Sequence, residues 1–109
     1  TDVPMLMLNG TLDAATPIEG AQRVADHYRG TFQTFVEFPL GTHNALRSSP
    51  MPGAGPSDTC GLRILSAFLR DPKSKLDIFC TSQLSPLNFQ GTSAFAQWAF
   101  GTDDLWENP

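Results

Sequence analysis

Val3-Pro4-Met5-Leu6-Met7-Leu8 is an unbroken apolar run, closed by the turn-forming pair Asn9-Gly10. A strand with one wet face alternates apolar and polar residues; a continuous run fits a strand covered on both faces, as in a parallel sheet under helices. Thr16-Pro17-Ile18-Glu19 then reads as a helix start. Thr16 is in place to cap, Pro17 falls where a missing N–H costs nothing, and Glu19 completes a capping box. Ile18, Ala21, Val24, Ala25 and Tyr28 form one apolar face, and Gly30 is a plausible stop. Thr34-Phe35-Val36-Glu37-Phe38 is rich in β-branched and aromatic residues and predicts a second strand, ended by Pro39. Strand, helix, strand predicts a βαβ unit with parallel strands and a right-handed crossover.

Downstream, 48–57 is a loop rich in Pro, Gly and Ser. Ser57 or Asp58 is expected to cap a second helix carrying Leu62, Leu65, Phe68 and Leu69, with Asp71-Pro72 as its stop. Beyond Cys80 the periodicity fades. Thr92 to Phe100 is expected to form a short helix capped by Thr92 or Ser93, with Gly101 after it. The whole is expected to be a single α/β segment, 1–109: a parallel βαβ unit plus helices and an irregular, aromatic-rich tail, 81–109.

Composition narrows the function. The chain has 109 residues, 40% of them apolar, which suits one small domain with a modest core. Seven basic against eleven acidic residues give a net charge of −4. With no cluster of Lys and Arg, neither nucleic acid nor an anionic membrane surface is an expected partner. No apolar run approaches the ~20 residues of a membrane span. No secretory leader is recognisable: the chain enters an apolar run at once, as the middle of a larger protein does. Cys60 and Cys80 lack CxxC spacing and neighbouring histidines, so no metal centre is expected. Spacing alone leaves two free buried thiols and one disulfide equally open. A disulfide would close a loop of about 20 residues and imply an oxidising compartment.

The chemistry concentrates at two positions. Asp13 lies just beyond the first strand and His43 just beyond the second. Open parallel sheets bind ligands beyond the carboxyl ends of their strands, and adjacent strands lie ~5 Å apart. A carboxylate that accepts from histidine Nδ1 fixes the tautomer and leaves Nε2 to take a proton from a nucleophile. Acid before histidine, with serine earlier still, is the order an α/β-hydrolase requires. The alternatives are equally concrete: Asp13 could bond only its own turn, and His43 could be an ordinary surface histidine. His27 reads as a solvent-facing helical residue. Phe95, Trp98, Phe100 and Trp106 read as a satellite core over the sheet edge, or as the lining of a pocket near His43. Asp103 and Asp104 read as an acidic turn, or as a site for a peptide's amino terminus.

Leu8-Asn9-Gly10-Thr11-Leu12-Asp13-Ala14-Ala15-Thr16-Pro17 resembles the acid loop of α/β-hydrolases. It is most similar to the C-terminal region of tripeptidyl-aminopeptidase-like (TAP-like) proteins. Phe38-Pro39-Leu40-Gly41-Thr42-His43 is similar to that family's histidine loop, although Thr42 and Asn44 flank the histidine where the family often has glycine. The resemblance extends from Val3 to about Cys80. It implies a C-terminal fragment of an α/β-hydrolase fold, 1–80 being the family-like part, with Asp13 and His43 as triad members. It also implies that Cys60 and Cys80 pair. The implied activity is that of a serine exopeptidase, or alternatively of an esterase or lipase, on a peptide or ester substrate and without a cofactor. A non-catalytic binding or assembly module of the same fold is the reading from a different class. A secreted, periplasmic or cell-envelope location follows from the same resemblance.

The nucleophile is the gap. No Gly-x-Ser-x-Gly occurs in the chain; Gly91-Thr92-Ser93-Ala94-Phe95 lacks the second glycine and follows the histidine. The expected partner is therefore an N-terminal hydrolase portion carrying serine and oxyanion hole. By itself the chain is expected to be inactive and to self-associate through the open edge of its first strand.

Overall fold

The computed structural model describes residues 2–86, 88 and 90–106; Leu87, Phe89 and the last three residues of the expected tail lie outside them. Six elements follow in order: strand β1 (Met5–Gly10), helix α1 (Ile18–His27), strand β2 (Gln33–Phe38), helix α2 (Cys60–Arg70), a 3-10 turn (Phe79–Gln83) and helix α3 (Ser93–Phe100). β1 and β2 pair in parallel, from Met5 opposite Gln33 to Gly10 opposite Phe38. The chain is thus an α/β unit built on a two-stranded parallel sheet.

Register explains the layering. Successive strand residues point to opposite faces. On one face Leu6, Leu8, Val36 and Phe38 meet Cys60 and Ile64 of α2, with Ala45, to form the core. On the other, the exposed Glu37 accepts a hydrogen bond from Gln22 of α1 at 2.7 Å. The two helices therefore cover opposite faces of the sheet. Coverage is uneven: Val36 and Phe38 are buried, but Met5 to Leu8 remain half-buried, and Val24 of α1 and Tyr28 just beyond it are exposed.

Several local expectations need correction. β1 begins two residues later than the apolar run and continues through Asn9-Gly10, because Gly10 still pairs with Phe38. Thr16 does not cap α1. Pro17 occupies the cap position without a side-chain bond, the Thr16 hydroxyl being directed backwards onto Asp13. The helix ends at His27 with Tyr28 as its cap, well before Gly30. α2 is capped by Thr59, whose hydroxyl accepts from Leu62 N–H at 3.2 Å. Asp58 instead forms a two-pronged ion pair with Arg63, at 2.6 and 2.7 Å. The inward face of α2 is centred on Cys60, Gly61 and Ile64, while Leu69 is exposed. The rotation is set at the helix start, where a Cβ on Gly61 would lie 2.6 Å from the Ala45 carbonyl oxygen. That contact admits only glycine and turns Ile64, one helical turn on, toward the sheet.

Cys60 and Cys80 form a disulfide with Cα atoms 5.6 Å apart. In the tail, Thr92 caps α3 and Ser93 is its first residue, with Gly101 left-handed at φ 72° just beyond. The tail aromatics do not make a satellite core. Phe95 and Trp98 touch each other, but Trp98 is 81% exposed and Trp106 73%. What packs in the tail is smaller: Ala96 is buried and Leu105 sits against Gly91. No helix among the described residues is long and apolar enough to cross a membrane.

Candidate catalytic acid and base

Two loops at the carboxyl end of the sheet are stitched together backbone to backbone. Thr11 N–H donates to the Phe38 carbonyl (3.1 Å) and Leu12 N–H to that of Gly41 (2.9 Å). Gly10 and Gly41 make the approach possible: a Cβ on Gly10 would lie 2.1 Å from the Gly41 oxygen, inside any allowed contact. Pro39 and Leu40 form a tight turn closed by Gly41 N–H on the Phe38 carbonyl at 3.0 Å. Leu40 takes a left-handed conformation there (φ 58°), rare for such a residue. Its N–H is held by the Thr11 hydroxyl at 2.8 Å, which ties the strained turn to the acid loop.

The Asp13 carboxylate is almost enclosed, at 4% exposure, whereas the His43 side chain is 64% exposed. Nδ1 of His43 lies 3.1 Å from Oδ1 and 3.0 Å from Oδ2. The loop supplies further donors: Ala15 N–H and Thr16 N–H reach Oδ1 at 2.9 and 2.8 Å, and the Thr16 hydroxyl reaches Oδ2 at 2.7 Å. Thr16's N–H first, then its hydroxyl, then His43 and the Ala15 N–H, hold the Asp13 carboxyl down at about 2 from the usual 3.8, against the opposing effect of burial. A carboxylate this stable is an acceptor only, so Nδ1 is the donor in this contact, and in the neutral imidazole that leaves Nε2 with its lone pair. Chemically, the arrangement can accept a proton at Nε2 while a fixed negative charge lies against the far side of the ring.

The sequence pointed to Asp13 and His43 and the structure brings them together. The bonds that place Asp13 in its own turn also exist, so the local reading and the pair reading describe the same carboxylate. Several supporting residues carried weaker signals. Asn9 is buried, and its amide donates to the carbonyls of Gly10 (3.1 Å) and Thr16 (3.2 Å), bracing the acid loop. Ser49 is fully buried behind the histidine loop. Its hydroxyl donates to the Ala45 carbonyl (2.7 Å) and accepts from Gly61 N–H (2.9 Å), fastening that loop to the start of α2. Thr59 also bonds the Leu46 carbonyl. The paired glycines could have been read as a close backbone approach; Ser49, in a Ser-Pro loop, offered no such signal.

The remaining candidates lie apart from this bonding. His27 is exposed and stacks edge-on against Tyr28. The Asp104 carboxylate accepts from Trp106 N–H at 2.6 Å, within its own turn. Among the described residues no group of three or more His, Cys, Asp or Glu side chains is placed to hold a metal. An open apolar groove, lined by Leu6, Leu8, Ala45, Leu46, Leu65 and Phe68, runs along the α2 face of the sheet and reaches Asn44, next to His43.

A family model described as TAP-like protein matches residues 1–80. No curated protein and no solved structure matches the chain.

Proposed function

The chain belongs to the TAP-like family of α/β-hydrolases, and from that premise we propose that it supplies the acid and the base of a serine hydrolase. The nucleophilic serine and the oxyanion hole lie outside these 109 residues, in which no Gly-x-Ser-x-Gly occurs. The serine attacks an acyl carbon. His43 takes its proton at Nε2 and returns it to the leaving group, while Asp13 orients the ring and stabilises the imidazolium. The observation that carries this reading is the contact of His43 Nδ1 with both oxygens of an enclosed, ionised Asp13. An exopeptidase releasing short N-terminal peptides is the proposed activity; esterase chemistry on the same site is the second, since one fold hosts many acyl substrates. A secreted or cell-envelope location is proposed on the Cys60–Cys80 disulfide.

The test is kinetic. In the full-length gene product, assayed on fluorogenic tripeptide and ester substrates, Asp13→Asn should lower kcat ~10⁴-fold through the wrong tautomer, with His43→Ala at least as severe. Losses of only a few-fold would exclude a triad role and favour a binding or assembly module. Residues 1–109 alone should turn over neither substrate; turnover abolished by a serine-directed probe would contradict the division of the triad proposed above.

A further inference from the structure

A carboxylate offers about four lone-pair directions. Three of Asp13's are filled from its own loop, by the N–H groups of Ala15 and Thr16 on Oδ1 and by the Thr16 hydroxyl on Oδ2. The direction left over faces Nδ1 of His43. Two of the three local donors are backbone and sit on the same oxygen. Nothing else in the loop holds Oδ2, and rotation of a carboxylate about its last torsion is soft. The Thr16 hydroxyl is therefore the loop's hold on Oδ2 and, with the two N–H groups on Oδ1, fixes the rotation in which both oxygens face the imidazole.

The helix that follows bears on the same hydroxyl. Threonine is a favoured capping residue, and α1 starts two positions later at Ile18 with no side-chain cap at all. The loop forgoes that cap and commits the hydroxyl to the acid. A local rule broken in this way marks a site where the same atom serves a different purpose.

We infer that Thr16 is a positioning residue of the proposed hydrolase, its hydroxyl setting the Asp13 carboxylate in the rotation that aligns His43. The inference rests on the acid–base reading above. The same bond is the second-largest contribution to keeping Asp13 ionised at low pH, in line with an acid that must stay charged while the imidazolium forms.

The experiment compares Thr16→Val, Thr16→Ala, Thr16→Ser and His43→Ala in the full-length gene product. Loss of one hydrogen bond to a charged group should lower kcat roughly ten- to a hundredfold in Thr16→Val and Thr16→Ala. KM should be unchanged, and Thr16→Ser should restore activity. The downfield proton resonance of His43 Nδ1–H should move upfield or broaden in the valine and alanine variants and persist in the serine variant. Wild-type kcat and an unmoved resonance in Thr16→Val, beside a dead His43→Ala, would overturn the positioning role and leave the hydrolase reading standing. Loss of fold in both the valine and alanine variants, seen by far-UV circular dichroism, would also overturn it, since the hydroxyl would then hold the chain rather than the acid. An active His43→Ala would bring down both.

Discussion

At the scale of single residues, Asp13 decides most. Its carboxyl is held below its ordinary value, so the folded state binds a proton there less readily than the unfolded chain does. The linked stability is complete above about pH 3.8 and is lost as pH falls through about 2. Circular dichroism between pH 5 and 1.5 should show acid unfolding steepening across that window, and Asp13→Asn should remove this part of the dependence. An identical acid limb in the variant would mean that the loop's hydrogen bonds do not favour the charged form. Gly10 and Gly41 act at the same scale: without Cβ atoms, the loops carrying acid and histidine approach closely enough to bond.

At the scale of elements, the start of α2 is a junction. Cys60 N–H donates to the Ser49 carbonyl at 2.9 Å, Gly61 N–H to the Ser49 hydroxyl, and the Cys60–Cys80 disulfide ties the 3-10 turn to the same point. Further along, Ser85 N–H reaches the Pro50 carbonyl at 2.9 Å. The histidine loop is thus backed by a helix terminus that is itself cross-linked. Replacing both cysteines by alanine should cost about 3 kcal/mol, as expected for a loop of this length. The midpoint of urea unfolding, read against the intact disulfide, measures it; an unchanged midpoint would mean that the backbone bonds alone fix the junction.

At the scale of the whole molecule, the apolar surface is incompletely covered. The half-buried residues of β1, the groove reaching Asn44, the outer side of α1 and the aromatics of α3 all face outward. A two-stranded sheet has two open edges, and the edge of β1 away from β2 exposes backbone groups beside Met5 to Leu8. Residues 1–109 are expected to self-associate with rising concentration, and sedimentation velocity over a hundredfold range would reveal it. A single monomeric boundary throughout would contradict it.

The sequence by itself determined the order of the strands and α-helices, the parallel pairing, the two loops that carry acid and histidine, and the presence of a second helix ending at Asp71-Pro72. These follow from short-range patterns: apolar runs, β-branched clusters, Pro and Gly at fixed offsets. Tertiary structure decided the rest. It chose the Thr16 hydroxyl for Asp13 over the helix cap, because an enclosed carboxylate gains more from a charge-assisted bond than a solvent-facing helix end gains from its cap. It turned α2 onto Ile64 through the contact of Gly61 with Ala45, and left the tail aromatics outside the core. Side chains that can serve two partners are assigned only when both are in reach, and residues thirty apart meet only once the sheet has formed.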